Sequence, residues 1–296
     1  MATSDALRRR LQSTETLRKV VQTMKALATV RIAQVRRAVV ALDASAATLE
    51  LAFQVLLQRQ PELAYALLPR GSDAWGAVLF GSDHGLCGPF NDRLARYAVE
   101  QFAELESEAG PPRLLAAGKR LRPRLTQLGY ELERVLPLPG TMTATEDAVA
   151  QVVAQVESWQ EQHQVERVLV IHHQPTSGVA YEAVVLQLLP LDLAWLRSLR
   201  ERPWPSPRLP MTGVEGRRLL RGLVRQHLAH VLVRAFAASQ AAENAARLAA
   251  MEAAERNVDE RLTQLRHAAN LARQNAVTAE LLDVQAAYAV TGESAE

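Results

Sequence analysis

The sequence predicts an α/β fold laid out as helix, compact middle, helix, with the two terminal helices pairing as a long antiparallel coiled coil. Three observations lead there. Neither Pro nor Gly occurs from Ala2 to Gln60 or from Leu223 to Thr291, although both recur in between. Apolar residues in the first segment repeat every three or four positions. The middle alternates strand-like and helix-like runs. The expected layout is an N-terminal helix over 1–60, an α/β domain over 72–200, a Pro-rich linker over 201–211 and a C-terminal helix over 212–291.

The first segment carries a seam: Leu7, Leu11, Thr14, Val21, Met24, Ala28, Ile32, Val35, Val39, Leu42, Ala46, Leu49, Phe53 and Leu56, with one place skipped near Leu17. That spacing is close to the 3.5-residue period of a coiled coil. At about 1.5 Å per residue the helix would extend on the order of 80 Å. A compact domain of this chain length has a radius of gyration of only about 19 Å, so part of the helix is expected to project.

Thr212 and Glu215 form a candidate capping box for the last segment. Its seam is predicted through Val224, Leu228, Val231, Ala235, Ala238, Ala242, Ala245 and Ala249, then Leu262, Leu265, Ala269, Val277 and Leu281. Alanines crowd its middle, which favours a slim helix pair. Two over-long helices at opposite ends of one chain bury their seams most economically against each other. A chain that returns through a middle domain makes them antiparallel.

In the middle, Trp75–Phe80, Arg113–Ala117, Tyr130–Leu136, Val165–His172 and Tyr181–Leu189 read as strands. Asn91–Glu108, Arg120–Leu128 and a segment opened by a second candidate capping box, Thr143 with Glu146, read as helices. Strands separated by helices imply βαβ units and a largely parallel sheet covered by helices. Arg202–Pro210 holds four prolines and reads as a stiff linker.

Composition narrows the function. Hydrophobic residues make up 48% of the chain but aromatics only 5%, so the apolar content is mostly Ala, Leu and Val, which suits closely packed helices. Cys87 is the only cysteine, which excludes an intrachain disulfide and a four-cysteine zinc site. No apolar run reaches the roughly 18 residues that span a bilayer, and charges from Asp5 onward interrupt any signal-peptide core. The formal net charge is only +2, yet between Leu7 and Arg37 nine basic residues face the single acid Glu15. This stripe is either a solvated face or a surface for an acidic partner. Nucleic acid is disfavoured because no aromatic residue that could stack on a base occurs between Met1 and Leu51.

The candidate chemical motifs are weak. Gly81–Asn91 follows a strand and precedes a helix, where a phosphate loop would sit. It lacks a Walker ending and the dinucleotide spacing, so a tight structural turn needing Gly at positive φ is favoured over nucleotide binding. Cys87 beside His84 lacks a third, orienting group, so a structural thiol is favoured. Neighbours His172 and His173 on a strand point to opposite faces and do not readily chelate one metal. His227 and His230 share a helix face without a carboxylate or thiol to complete a set. No catalytic residue, cofactor site or metal site is assigned.

Four blocks carry a family resemblance. Leu7–Ser13, Lys19–Met24 and Ala28–Arg31 together resemble the first-helix signature of gamma subunits of F-type ATP synthases. Ser82–Asn91 resembles that family's Ser-Asp-x-Gly-Leu-Cys-Gly loop, Glu243–Met251 its Glu-x-Ala-Ala-Arg-Met-x-Ala-Met run, and Ala272–Val284 its C-terminal block. They occur in the family's order and bracket nearly the whole chain. The resemblance implies a coiled coil inside a hexameric ring of catalytic and non-catalytic subunits, and a Rossmann-like middle domain without a nucleotide. It also implies a base that meets the epsilon subunit and the membrane rotor ring, and a place on the cytoplasmic face of a bacterial plasma membrane. The chain would be a rotor shaft and not an enzyme. Contacts to the hexamer would fall on Lys19, Met24, Arg31, Glu243, Arg247, Arg273, Gln274, Thr278 and Glu280.

The sequence departs from the family's pattern at several places. Pro89 stands for a usual Gly, Gln22 for Lys, Thr16 for Asn, Ala242 for Ser, Glu252 for Lys and Arg256 for Asp. These departures resemble the divergent branch found in alternate bacterial F-type ATPases. The dithiol insertion of chloroplast homologues is absent. A coiled-coil scaffold unrelated to ATP synthesis, or an enzyme using the Gly81–Asn91 turn, are the competing readings.

Overall fold

The computed structural model describes residues 2–293 apart from 70, 140, 141, 177–179, 205, 207, 209 and 212; in the helices, the side chains of 2–5, 36, 40, 41, 43, 44, 142, 143, 280, 283 and 286–293 lie outside the description. The capping residues Thr212 and Thr143 and the side chain of Glu280 therefore fall outside the described set. The elements in chain order are α1 (Ala2–Arg59), β1 (Trp75–Phe80), α2 (Phe90–Ala109), β2 (Arg113–Ala117), α3 (Leu121–Gln127), β3 (Arg134–Leu136), α4 (Met142–His163), β4 (Arg167–Pro175), β5 (Tyr181–Leu189), α5 (Leu193–Glu201) and α6 (Gly216–Glu293), with a 3₁₀ turn at Pro61–Leu67. The chain divides into two compact units: Met1–Leu27 with Leu248–Glu296, and Ala28–Arg247.

The larger unit is built on a five-stranded sheet of order β3-β2-β1-β4-β5. β1 runs parallel to β2 and β4, and β2 parallel to β3. β5 returns antiparallel along β4. β1 is central and buried throughout, as a continuous apolar run in a strand covered on both faces must be. Side-chain alternation divides its residues. Val78 and Phe80 join Leu115, Val168 and Val170 on the face that packs against α4, α5, α6 and the end of α1. Ala77 and Leu79 join Leu114, Ala116 and Ile171 on the face covered by α2 and α3.

Some expected elements came out shorter or shifted. The strand expected over Tyr130–Leu136 is confined to its last three residues. Tyr130 turns to cover α2, with its ring 5.3 Å from that of Phe102 and its hydroxyl donating to Glu106 at 2.9 Å. The last helix starts at Gly216, where the Glu215 carbonyl accepts the first helical bond from Leu219, four residues beyond the expected boundary. α5 was not anticipated. Asp192 caps it by accepting from the Ala194 N–H at 2.8 Å, and Leu196 and Leu199 bury its apolar side.

In the smaller unit the seam on α1 is as expected: Val21 is buried and Leu7, Leu11, Thr14 and Met24 are half-buried, while Arg18 fills the skipped place. On α6, Met251, Val258, Leu262 and Leu265 are buried. Ala249, expected in the seam, is exposed, because the stripe runs through Met251 instead. Lys25 pairs with Glu255 at 3.0 Å, Arg18 with Asp259 at 2.8 Å, and Glu15 with Arg266 at 3.1 Å. Partner numbers rise on α6 as they fall on α1, which is the register of an antiparallel pair. Val277, Leu281, Leu282 and Val284 near the end of α6 are 51–62% exposed, against the seam positions expected at Val277 and Leu281.

Candidate functional site

Two surfaces carry the residues singled out by sequence. The first lies in the larger unit, where the loop after β1 meets α6. Gly81 is required because a Cβ there would lie 2.4 Å from Leu121 Cγ, and Gly88 adopts φ +58°, a left-handed conformation that glycine takes readily. Ser82, Asp83 and Asn91 of the loop spend their polar groups within the domain. Asn91 accepts from the Ser82 N–H at 3.0 Å and donates to the Ser82 hydroxyl at 2.7 Å. Asp83 accepts main-chain N–H groups from Lys119 and Leu138, each at 2.8 Å. Pro89, at φ −81°, fits the start of α2, where its carbonyl accepts from Arg93 at 2.9 Å.

The loop's apolar side packs on α6. Cys87 and Phe90 are buried against Ala242 and Ala246. Burial pushes the Cys87 thiol up from its ordinary pKa, which opposes formation of a reactive thiolate. One turn away, the Ser239 hydroxyl donates to the Phe80 carbonyl at 2.9 Å in a buried setting. Gln240 donates to the Pro139 carbonyl at 3.2 Å. The sequence reading missed Ser239 and Gln240, although two polar residues inside an alanine-rich helical stretch are a legible signal. The geometry makes this loop a brace between the sheet and α6.

Beside the brace lies a charged cluster. Glu243 is 7% exposed and accepts from Arg247 one turn on at 2.5 Å. Arg247 also donates to Asn244 at 3.3 Å. Burial raises the Glu243 pKa above the usual carboxylate range, while Arg247, His84 and Arg31 pull it back down. Arg31, Glu243 and Arg247 thus form one electrostatic group, with Arg31 exposed and Glu243 in the interior. His172 follows Val168 and Val170 to one face of the sheet, and His173 follows Ile171 to the other, where it meets the Phe90 carbonyl at 2.9 Å.

The second surface is in the smaller unit. Lys19 is exposed and Met24 half-buried on α1. Arg273, Gln274 and Thr278 are exposed near the end of α6, interleaved with the uncovered apolar residues there. Gln274 and Thr278 share a face, and the Thr278 hydroxyl donates to the Gln274 carbonyl at 3.0 Å. The basic stripe divides: Arg18 and Lys25 meet the α6 acids Asp259, Glu252 and Glu255, whereas Arg8, Arg10, Lys19 and Arg31 face outward. Glu252, which departs from the family's usual Lys, lies 4.0 Å from Lys25.

The smaller unit is a pair of antiparallel helices, the larger an α/β domain braced against α6, and neither shows a catalytic constellation among its described residues. The family model for ATP synthase matches residues 3–290. The ATP synthase gamma chain of Nostoc punctiforme is 29% identical, covering 96% of this chain and 98% of that one. The gamma chain of Thermosynechococcus vestitus is 28% identical, covering 97% and 98%. A chain of the Euglena gracilis mitochondrial ATP synthase rotor superposes with a TM-score of 0.61 at 17% identity, covering 93% of this chain and 99% of that one. The chain belongs to the ATP synthase family, in its gamma-chain group. Its curated relatives are gamma chains, and solved chains with the same fold come from an ATP synthase rotor and a central stalk. No described helix is long and apolar enough to cross a membrane.

Proposed function

We propose that this chain carries torque between an ion-driven membrane ring and a hexamer of catalytic and non-catalytic subunits, with the exposed end of α6 as its working contact. The observation that carries this reading is the run of uncovered apolar residues from Val277 to Val284, interleaved with Arg273, Gln274 and Thr278. Exposed apolar residues clustered near a helix end favour a surrounding protein surface. Arg273 can pair with a carboxylate through its planar guanidinium, and Gln274 can both donate and accept. Lys19, Met24 and Arg31 add contacts along α1, and Glu280 belongs to the same C-terminal set. Exposed ion pairs of this kind contribute only about 0–1 kcal/mol each, so they can exchange as the shaft turns. Glu243 acts from the interior by holding Arg247.

Torque requires differential contact, since a shaft that binds every state of the hexamer equally shifts none of them. Two helices of unequal length present different faces to chemically equivalent subunits. The α/β domain is the base, which faces the epsilon subunit and the membrane ring on the cytoplasmic side of a bacterial plasma membrane.

The test is Arg273→Ala combined with Gln274→Ala in the assembled complex. Loss of two polar contacts, at least one charge-assisted, predicts a fall in ATPase rate on the order of tenfold with the complex still assembled. Undiminished turnover would remove the α6 end from the working contact.

A further inference from the structure

His173 is a buried titratable group that none of the shaft's duties uses. It is 1% exposed on β4, opposite Ala183 of β5. Its Nε2 lies 2.9 Å from the Phe90 carbonyl at the start of α2. A carbonyl only accepts, so Nε2 carries the proton and Nδ1 keeps a lone pair. Nδ1 meets no hydrogen-bond partner among the described residues. The imidazole sits between two rings, with its centroid 4.4 Å from that of Phe90 and 4.9 Å from that of Tyr181. Phe90 and Tyr181 pack in turn with Cys87 on Ala242 and Ala246. One side chain thus joins the Gly81–Asn91 loop, the β4–β5 hairpin and the brace on α6.

The neutral ring fits this site and its cation does not. A second proton on Nδ1 would place a charge in an apolar interior without an acceptor for the new N–H. Burial pushes the His173 pKa down, the Phe90 and Glu182 carbonyls pull it back, and His172 and Arg93 push it down again. No facing group answers a cation. On α2, Arg93 is itself cationic and stands over the Tyr181 ring at 5.6 Å. On β5, burial pushes the Tyr181 hydroxyl up, and Glu182 is exposed. His172 lies on the other face of the sheet, and burial pushes the Cys87 thiol up. On α6, Glu243 pairs with Arg247. Its raised folded-state pKa makes its own titration oppose opening in acid.

We propose that His173 is an acid-sensitive latch: neutral, it clasps the Gly81–Asn91 loop to the β4–β5 hairpin, and protonated, it releases them and uncovers Cys87. The sign follows from linkage. In the open form the ring titrates near the ordinary value of about 6.5. The closed form binds the proton less readily, so its full advantage is present above that value. That advantage falls by up to about tenfold per pH unit below it, until the lowered folded value is passed.

The experiment labels Cys87, the only thiol, in the purified full-length chain with a pyridyl disulfide, whose good leaving group keeps exchange measurable in acid. Rates are taken from neutral to acid pH relative to free cysteine at the same pH, and circular dichroism follows helix content alongside. The parent rate should rise about tenfold on acidification with helix content unchanged. His173→Gln, which keeps a donor for the Phe90 carbonyl but cannot titrate, should lose that rise, and so should His173→Phe. His172→Gln should retain it. A parent rate that stays flat, an equal rise in the His173 variants, or a rise that appears only together with loss of helix content would overturn the proposal.

Discussion

Ser239 on α6 reaches the end of the central strand: its hydroxyl lies 2.9 Å from the Phe80 carbonyl, with both groups buried. This hydrogen bond fixes the sheet to the helix at the level where the Gly81–Asn91 loop packs on Ala242 and Ala246. Removing it leaves a buried carbonyl without its side-chain donor, which costs about 1–3 kcal/mol. Ser239→Ala should therefore lower the urea midpoint of the isolated chain with the slope unchanged. A midpoint equal to that of the parent chain would mean that apolar packing alone holds the sheet to α6.

Glu243 gives the chain a pH dependence of defined sign. Its folded-state pKa is raised, first by burial, above the value it has in the unfolded chain. The folded state therefore holds the proton more tightly, and stability falls as pH rises from the ordinary carboxylate range through the raised folded value. Glu243→Gln removes that titration. The difference in unfolding free energy between parent and variant should slope downward across that window and be flat outside it. Parallel stability curves at all pH values would contradict the interior placement of this carboxylate. Replacing Arg247 by Ala should be the more damaging change, because it strands a buried acid without its partner, at a cost of about 3–5 kcal/mol.

Lys25 and Glu255 tie the two helices of the smaller unit at 3.0 Å. Hydrogen bonds from Lys25 and then Gln22 hold the Glu255 pKa below the usual carboxylate value. The pair's contribution is thus complete above the ordinary carboxylate range and is lost as pH falls through the lowered folded value. Lys25→Glu, which sets like charges against Glu255 and Glu252, should lower the melting temperature by roughly 1–3 °C at low salt. Adding Glu255→Lys should restore most of it. The effect should shrink near 1 M salt, where the screening length is about 3 Å. A salt-independent loss would assign it to packing instead.

Much of this organisation could be read from residue spacing. The α1 seam was legible because coiled-coil period and burial coincide at Val21, Ala28, Val35, Phe53 and Leu56. β1 was legible because a six-residue apolar run before a glycine-rich turn has few alternatives. α5 was missed because nine residues give too little periodicity, although Asp192 was a usable capping signal. The exposed end of α6 was not legible, since a periodic apolar stripe does not reveal which of its positions are covered. Glu243 in the interior was equally hidden: an acid in a helix reads as surface unless its partner one turn on is known to fold over it. The basic stripe misled in one respect, because part of the acidic surface it seeks is supplied by α6 itself through Glu255 and Asp259.

The central claim, that this chain is the rotor shaft of a catalytic hexamer, is tested most directly by co-expression with the catalytic and non-catalytic subunits from the same source, followed by native mass spectrometry and an ATPase assay. A rotor shaft should be present at one copy per hexamer, and ATP hydrolysis should depend on its presence. A hexamer that assembles and hydrolyses ATP equally well without the chain, and that binds none of it when supplied, would show that the chain is not its shaft.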